Sequence, residues 1–208
     1  VYTADANARA SASASASGSA EQLLALLLGS AGTGKTTTLK TLLRVLRSEK
    51  VSFRVGAYTG VAASNIGEGA QTLSSMFKLN RINEASQDME ELKGTSLDEL
   101  VKEMKGVRLL IIDEISMVSR VLLAQVSRRL QEVRAKEGDV DRMRLPFGGV
   151  SVIVAGDFGQ LPPVAEPDNM SLLCPAVLSS GCRMKSATTG QRIFSEFQTV
   201  VRLRRIHR

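Results

Sequence analysis

The sequence predicts an α/β domain of three layers, a mostly parallel sheet covered by helices on both faces. Two observations carry this. Short apolar runs of strand length alternate along the chain with longer segments of helical period, the pattern of a sheet whose parallel strands are joined by helices. Each apolar run also stops at glycine, alanine or an acidic residue, so small and polar residues collect beyond the carboxyl ends of the strands, where such sheets hold ligands.

The elements follow in order. Residues 10–20, ASASASASGSA, are low-complexity Ala/Ser. Such composition buries too little apolar surface to offset the entropy of ordering, so residues 1–20 are expected to be a flexible tail or linker. Leu23–Leu28 reads as a buried strand stopping at Gly29. Leu39, Leu42, Leu43 and Leu46 then recur on one face of an amphipathic helix. Val51–Ala57 reads as a second strand and Leu109–Ile112 as a third, bounded by Asp113. Val118, Leu122, Val126, Leu130 and Val133 mark a further helix, and Val150–Ala155 a fourth strand ended by Gly156. Between the second and third strands, Asn80–Gly106 is polar with a weaker stripe of Leu92, Leu97, Leu100, Val101 and Met104, an insertion of one or two surface helices.

Composition narrows the class. The 208 residues are 43% hydrophobic and 23% charged, ordinary values for a folded domain with its own core. The longest apolar run near the start is too short to span a bilayer, so no membrane association is expected. Cys174 and Cys182 lack metal-ligand spacing, which points to a reducing, intracellular compartment. The net charge of +6 is uneven: from Gly181 onward stand seven basic residues and one acid, leaving residues 1–180 neutral. A basic block of this kind is either solvated surface or a footprint for a polyanion.

The sharpest chemical signal is Gly29-Ser30-Ala31-Gly32-Thr33-Gly34-Lys35-Thr36, followed by Thr37. It lies between an apolar strand and a leucine-striped helix, as a phosphate-binding loop requires. Its glycines let backbone N–H groups converge on phosphate oxygens, and the following helix points its positive end at them. Lys35 can reach the β- and γ-phosphates, and the Thr36 hydroxyl can ligate Mg²⁺. The third strand delivers Asp113 and Glu114 to the same edge. Asp113 suits magnesium, and Glu114 suits the orientation and deprotonation of an attacking water. The fourth strand leads into Gly156-Asp-Phe-Gly-Gln160-Leu-Pro-Pro163, where Gln160 can sense a γ-phosphate and two prolines force an extended exit.

The combination GSAGTGKT, AYTGVAASNIG, LLIIDEISMV and AGDFGQLPPV resembles the PIF-type DNA helicases, the superfamily 1 branch that moves 5′ to 3′, with RecD-like and Helitron helicases as relatives. The resemblance runs from about residue 21 to the end and implies a RecA-like phosphate-loop NTPase lobe. It implies ATP and Mg²⁺ as cofactors, residues 29–37 as the nucleotide site, Thr36 and Asp113 as metal ligands, and Lys35, Asp113, Glu114 and Gln160 as catalytic. Arg208, closing a run with Phe194, Phe197, Val200, Val201 and Leu203, is similar to the family's γ-phosphate-contacting arginine. Thr59, Gly60 and Asn65 match the family's first DNA-contacting motif, and Phe77 is a candidate to stack on a base, with packing in the core the favoured alternative. Tyr58 and Ser74 depart from the family's usual proline and histidine. The polar segment 80–106 falls where the family carries a small wedge insertion. No glutamine motif precedes the first strand, since Gln22 lies too close to the phosphate loop.

The function implied is ATP-driven translocation on single-stranded DNA and unwinding at duplex junctions, in repair, recombination and genome or telomere maintenance. In a eukaryote that implies the nucleus or the mitochondrion. The expectation is a first motor lobe only, weakly active without the second lobe of the same polypeptide, against whose position the basic block would lie. Two readings stay open beside it: a nucleic-acid-binding transposon remnant that no longer turns over, and another phosphate-loop ATPase. The absence of an Asn-Lys-x-Asp motif speaks against a GTPase.

Overall fold

The computed structural model describes residues 21–67, 69–79, 91–164, 170–174 and 182–207, with side chains of the last segment from Lys185. The expected tail at 1–20 and Arg208 lie outside the described residues.

Six strands form one parallel sheet: β1 (Leu24–Gly29), β2 (Phe53–Ala57), β3 (Gln71–Thr72), β4 (Leu109–Asp113), β5 (Ser151–Gly156) and β6 (Thr199–Leu203), in the order β3-β2-β4-β5-β1-β6. The four strands expected from the sequence are all present, shifted by one or two residues at their ends. Alternation along the strands sends side chains to opposite faces. Leu27, Val55, Leu109, Ile111 and Ala155 pack on one side with Leu39 and Leu43 of α1 (Lys35–Ser48) and Ile66 of α2 (Gly60–Ile66). Leu24, Leu26, Leu110, Ile112, Val152 and Val154 pack on the other. That side is covered by α3 (Leu73–Met76), α4 (Gly94–Met104), α5 (Arg120–Glu137) and α6 (Cys182–Ser195). The three-layer architecture is as the sequence predicts.

Two expectations are corrected here. The polar insertion is not simply a solvated surface element. Its described helix, α4, buries Leu100 and Met104 completely or nearly so in the core under α5, and only its opposite face is polar. Phe77 is 0% exposed, enclosed by the same cluster at the end of α3, so no ring face is open to a base. Gln22, set aside as a nucleotide contact, instead ties the start of β1 to the turn before β5. Its amide donates to the carbonyls of Pro146 and Val150 at 2.7 and 2.8 Å.

Among the described residues, α5 and α6 make the most extensive contact between α-helices, and their approach explains a glycine in α6. A Cβ on Gly190 would stand 1.8 Å from the carbonyl oxygen of Arg120, a backbone atom with nowhere to go. Arg120 is itself fully buried and donates from Nε to Ser171 O at 2.9 Å. Gly190→Ala is therefore expected to force the helices apart, at a cost of about 3 kcal/mol. In a domain of this size that lowers the melting temperature by about 10 °C, readable by thermal denaturation.

Candidate nucleotide site at the carboxyl edge of the sheet

Three adjacent strands, β4, β5 and β1, each end at a functional motif. Their registers align Leu28 with Gly156 and Ile112 with Val154, so the phosphate loop and the Asp113–Glu114 pair flank the end of β5. With strands about 4.8 Å apart, that sets roughly 10 Å between their backbones, room for a phosphate chain and a water.

The loop after β1 turns through Gly32 and Gly34, at φ 79° and 87°, left-handed values that favour glycine. Gly34 precedes α1, whose first turn carries no acidic residue, so nothing opposes its positive end. Thr33 is buried and its hydroxyl closes the turn onto Ser30 O at 2.8 Å. Gly29 leaves no space: a Cβ there would lie 2.5 Å from Thr33 Oγ1 and 3.0 Å from Leu203 Cβ. Lys35 folds back over the loop, Nζ donating to Gly29 O at 2.5 Å and Ser30 O at 3.1 Å. Ser30, Ala31, Thr36 and Thr37 are exposed. Whereas the Thr38 hydroxyl bonds back to Gly34 O at 3.0 Å, that of Thr36 makes no hydrogen bond among the described residues and is exposed.

At the end of β4, Glu114 adopts a left-handed backbone (φ 59°, ψ 45°), uncommon for a residue with a side chain and a reserve of strain at a turn. Its N–H is held by Asp113 Oδ1 at 2.9 Å. Gly156 supports the same turn from β5: at φ 154°, a Cβ there would meet Ile115 Cγ2 at 2.9 Å and Ile115 N at 3.0 Å. The sequence marks Gly156 only as a strand terminator; close backbone approach is its second role.

Burial holds the Asp113 carboxyl above its ordinary value of 3.8, and the charge of Glu114 pushes the same way, while the Glu114 N–H and Lys35 pull it down. A folded-state value above the unfolded one means that ionisation costs folding stability. The cost is absent at low pH, grows as pH rises through the raised value, and is complete above it. Asp113→Asn is thus expected to melt higher than the parent at neutral pH. Its advantage should fade as pH falls toward 3.8, in melts run across that range without nucleotide.

These residues fit a magnesium–nucleotide complex. The Asp113 carboxyl and the exposed Thr36 hydroxyl are both hard-oxygen donors at the carboxyl edge of the sheet. The described residues hold no cluster of three His, Cys, Asp or Glu that could grip a metal unaided. Magnesium is commonly bound in that way, by one or two protein oxygens with phosphates and water.

Gln160 is exposed in the turn after β5, where Gln160 N bonds Asp157 O at 3.0 Å and Gly159 N bonds Asp157 Oδ1 at 3.0 Å. Phe158 in that turn packs edge-on to Phe194 of α6, ring centres 5.9 Å apart. Past β6 the chain returns to the loop, His207 N donating to Gly32 O at 3.0 Å, so the exposed Arg204 and Arg205 lie in the segment that runs to the phosphate loop.

Of the expected DNA contacts, Gly60 and Asn65 are exposed on α2. Thr59 is half-buried and differently employed. Its hydroxyl donates to Glu114 Oε2 at 2.8 Å and accepts from Ala62 N at 3.1 Å, capping α2. The sequence has no signal for the first bond, because it arises from β2 pairing with β4, Ala57 opposite Asp113. No helix among the described residues is long and apolar enough to cross a membrane.

Known proteins share this arrangement. The family described as PIF1-like helicase matches residues 9–199. The ATP-dependent DNA helicase RRM3 of Saccharomyces cerevisiae is 36% identical over 149 residues, 70% of this chain and 19% of its own length. Bacteroides Pif1 bound to single-stranded DNA superposes with a TM-score of 0.59 at 31% identity, over 88% of this chain and 38% of its own. Bacteroides Pif1 in complex with ADP-AlF4 gives 0.60 at 30% identity, over 89% and 39%. The chain spans about a fifth of the yeast relative and about two fifths of these solved chains. Family match, sequence identity and fold similarity agree: the chain belongs to the PIF1-like helicase family.

Proposed function

We propose that this lobe binds and hydrolyses Mg-ATP and grips one DNA strand along α2, as the first of two motor lobes that translocate 5′ to 3′ and unwind duplex junctions. The observation that carries the reading is that the segments bearing Lys35, Asp113 with Glu114, and Gln160 follow three adjacent parallel strands at one edge of the sheet. The single-stranded DNA and ADP-AlF4 complexes of Bacteroides Pif1 support it.

The loop amides and Lys35 receive the phosphates, Lys35 leaving the carbonyls of Gly29 and Ser30 to do so. Thr36 and Asp113 would hold magnesium, which would supply positive charge against the phosphates. Glu114 takes a proton from the attacking water, and exposed Gln160 is free to contact the γ-phosphate. Gly60 and Asn65 hold the strand through main chain and amide, contacts that position rather than read sequence. Arg208 and a second lobe of the same polypeptide would add the cationic charge that the transition state needs.

The test is ATP turnover by the full chain with and without oligothymidylate. Turnover that rises with DNA is expected. A chain that binds neither Mg-ATP nor single-stranded DNA would refute the reading.

A further inference from the structure

Thr59 joins the motif read as DNA-contacting to the carboxylate read as catalytic, and it does so with a single proton. A threonine hydroxyl donates one hydrogen bond and accepts up to two. Here the donor goes to Glu114 Oε2 and the acceptor side takes the Ala62 N–H. Nothing remains to donate to a DNA phosphate unless the bond to Glu114 is given up. Gly60 and Asn65, the other two residues read as DNA contacts, are exposed on the same helix.

From this competition, and resting on the function proposed above, we infer that Thr59 is a positioning residue that restrains Glu114 until a DNA phosphate takes its proton. Without DNA, the Thr59 hydroxyl ties Oε2 of Glu114 toward β2, so that oxygen is turned to Thr59 and is not free to face an attacking water. A DNA backbone phosphate that reaches Thr59 is the stronger rival for that donor, since charge-assisted bonds to phosphate are short and favourable. Once released, Glu114 takes the proton of water as the water oxygen bonds to the γ-phosphorus. The bond from that phosphorus to the bridging oxygen breaks, and ADP leaves with the electron pair. The left-handed backbone at Glu114 and the close support from Gly156 keep its main chain fixed, so the side chain alone has to move. DNA binding is thereby coupled to hydrolysis within one lobe, across two neighbouring strands.

The experiment is single-turnover hydrolysis of Mg-ATP by the full chain, with and without oligothymidylate, for the parent, Thr59→Val, Thr59→Ser and Lys35→Ala. Valine keeps the shape and removes the hydroxyl; serine keeps the donor and the cap. Thr59→Val is expected to hydrolyse ATP several-fold faster than the parent without DNA, at unchanged ATP affinity. Its ratio of rates with and without DNA should fall toward one, while Thr59→Ser retains the parent's ratio. The loss of the α2 cap lowers the melting temperature of Thr59→Val, but that would not raise a rate. A DNA-stimulation ratio in Thr59→Val equal to the parent's, or a loss of rate by the same factor with and without DNA, overturns the inference alone. Hydrolysis by the parent no faster than by Lys35→Ala overturns the proposed function and this inference with it.

Discussion

Lys35→Ala is expected to reduce ATP hydrolysis by more than about 100-fold, the scale of losing one preorganised charge at a reacting phosphate. Nucleotide affinity should fall with it. The side chain has two duties in the structure. It rests on the carbonyls of Gly29 and Ser30, a seat that holds the ammonium over the loop, and its charge acts on Asp113 across the site. Removing it takes away the cation that meets the phosphates. It also removes one of the two influences that lower the Asp113 pKa, so the carboxylate expected to hold magnesium becomes harder to ionise. Lys35→Arg should fail as well. A planar guanidinium is too broad for a seat 2.5 and 3.1 Å from two carbonyls of one tight turn. Folding should survive both changes, because Lys35 is only half-buried at the protein's edge. Turnover, fluorescent-nucleotide titration and a melt on the same samples separate these effects.

What the sequence makes legible here is whatever short-range pattern decides. The phosphate loop is contiguous, and its glycines, lysine and threonine stand between a strand and a helix whose periods are plain. The apolar runs of β4 and β5 are equally plain, because strands buried on both faces need continuous apolar residues. The harder elements depend on partners far away in sequence. α6 runs CRMKSATTGQRIFS, with two threonines and a glycine in its interior, poor helix-forming residues. It is helical because Gly190 allows close packing on Arg120. β6 is an edge strand whose Val200 and Val201 stay about half exposed, and β3 is two residues long, so neither carries an alternating pattern. Phe77 follows a motif read as DNA-contacting, yet burial under α4 decides its role. The basic block beyond residue 181 is divided by the fold. Lys185 and Arg192 lie on α6, while Arg202, Arg204 and Arg205 continue from β6 toward the phosphate loop.

Glu114→Gln should separate binding from chemistry more cleanly than any other change in the site. The amide matches the carboxylate in shape, and its oxygen can still accept the Thr59 hydroxyl at the position of Oε2. The backbone turn is undisturbed, since glutamine meets the same left-handed conformation as glutamate and Gly156 still backs Ile115. The melting temperature should therefore stay within a few degrees of the parent. Mg-ATP should bind at least as tightly, because one negative charge beside the phosphates is gone while Lys35, Thr36 and Asp113 remain. Hydrolysis should nonetheless fall by about 10²- to 10⁴-fold, the usual worth of a positioned general base. Lys35→Ala would lose binding and rate together; Glu114→Gln would lose rate alone and trap the ATP state. If Glu114 is the group that DNA releases, the trapped variant should also show no acceleration by oligothymidylate while binding that DNA normally. Residual DNA-stimulated turnover at the parental ratio would instead place the base elsewhere, with the Thr59 contact serving only to shape the turn.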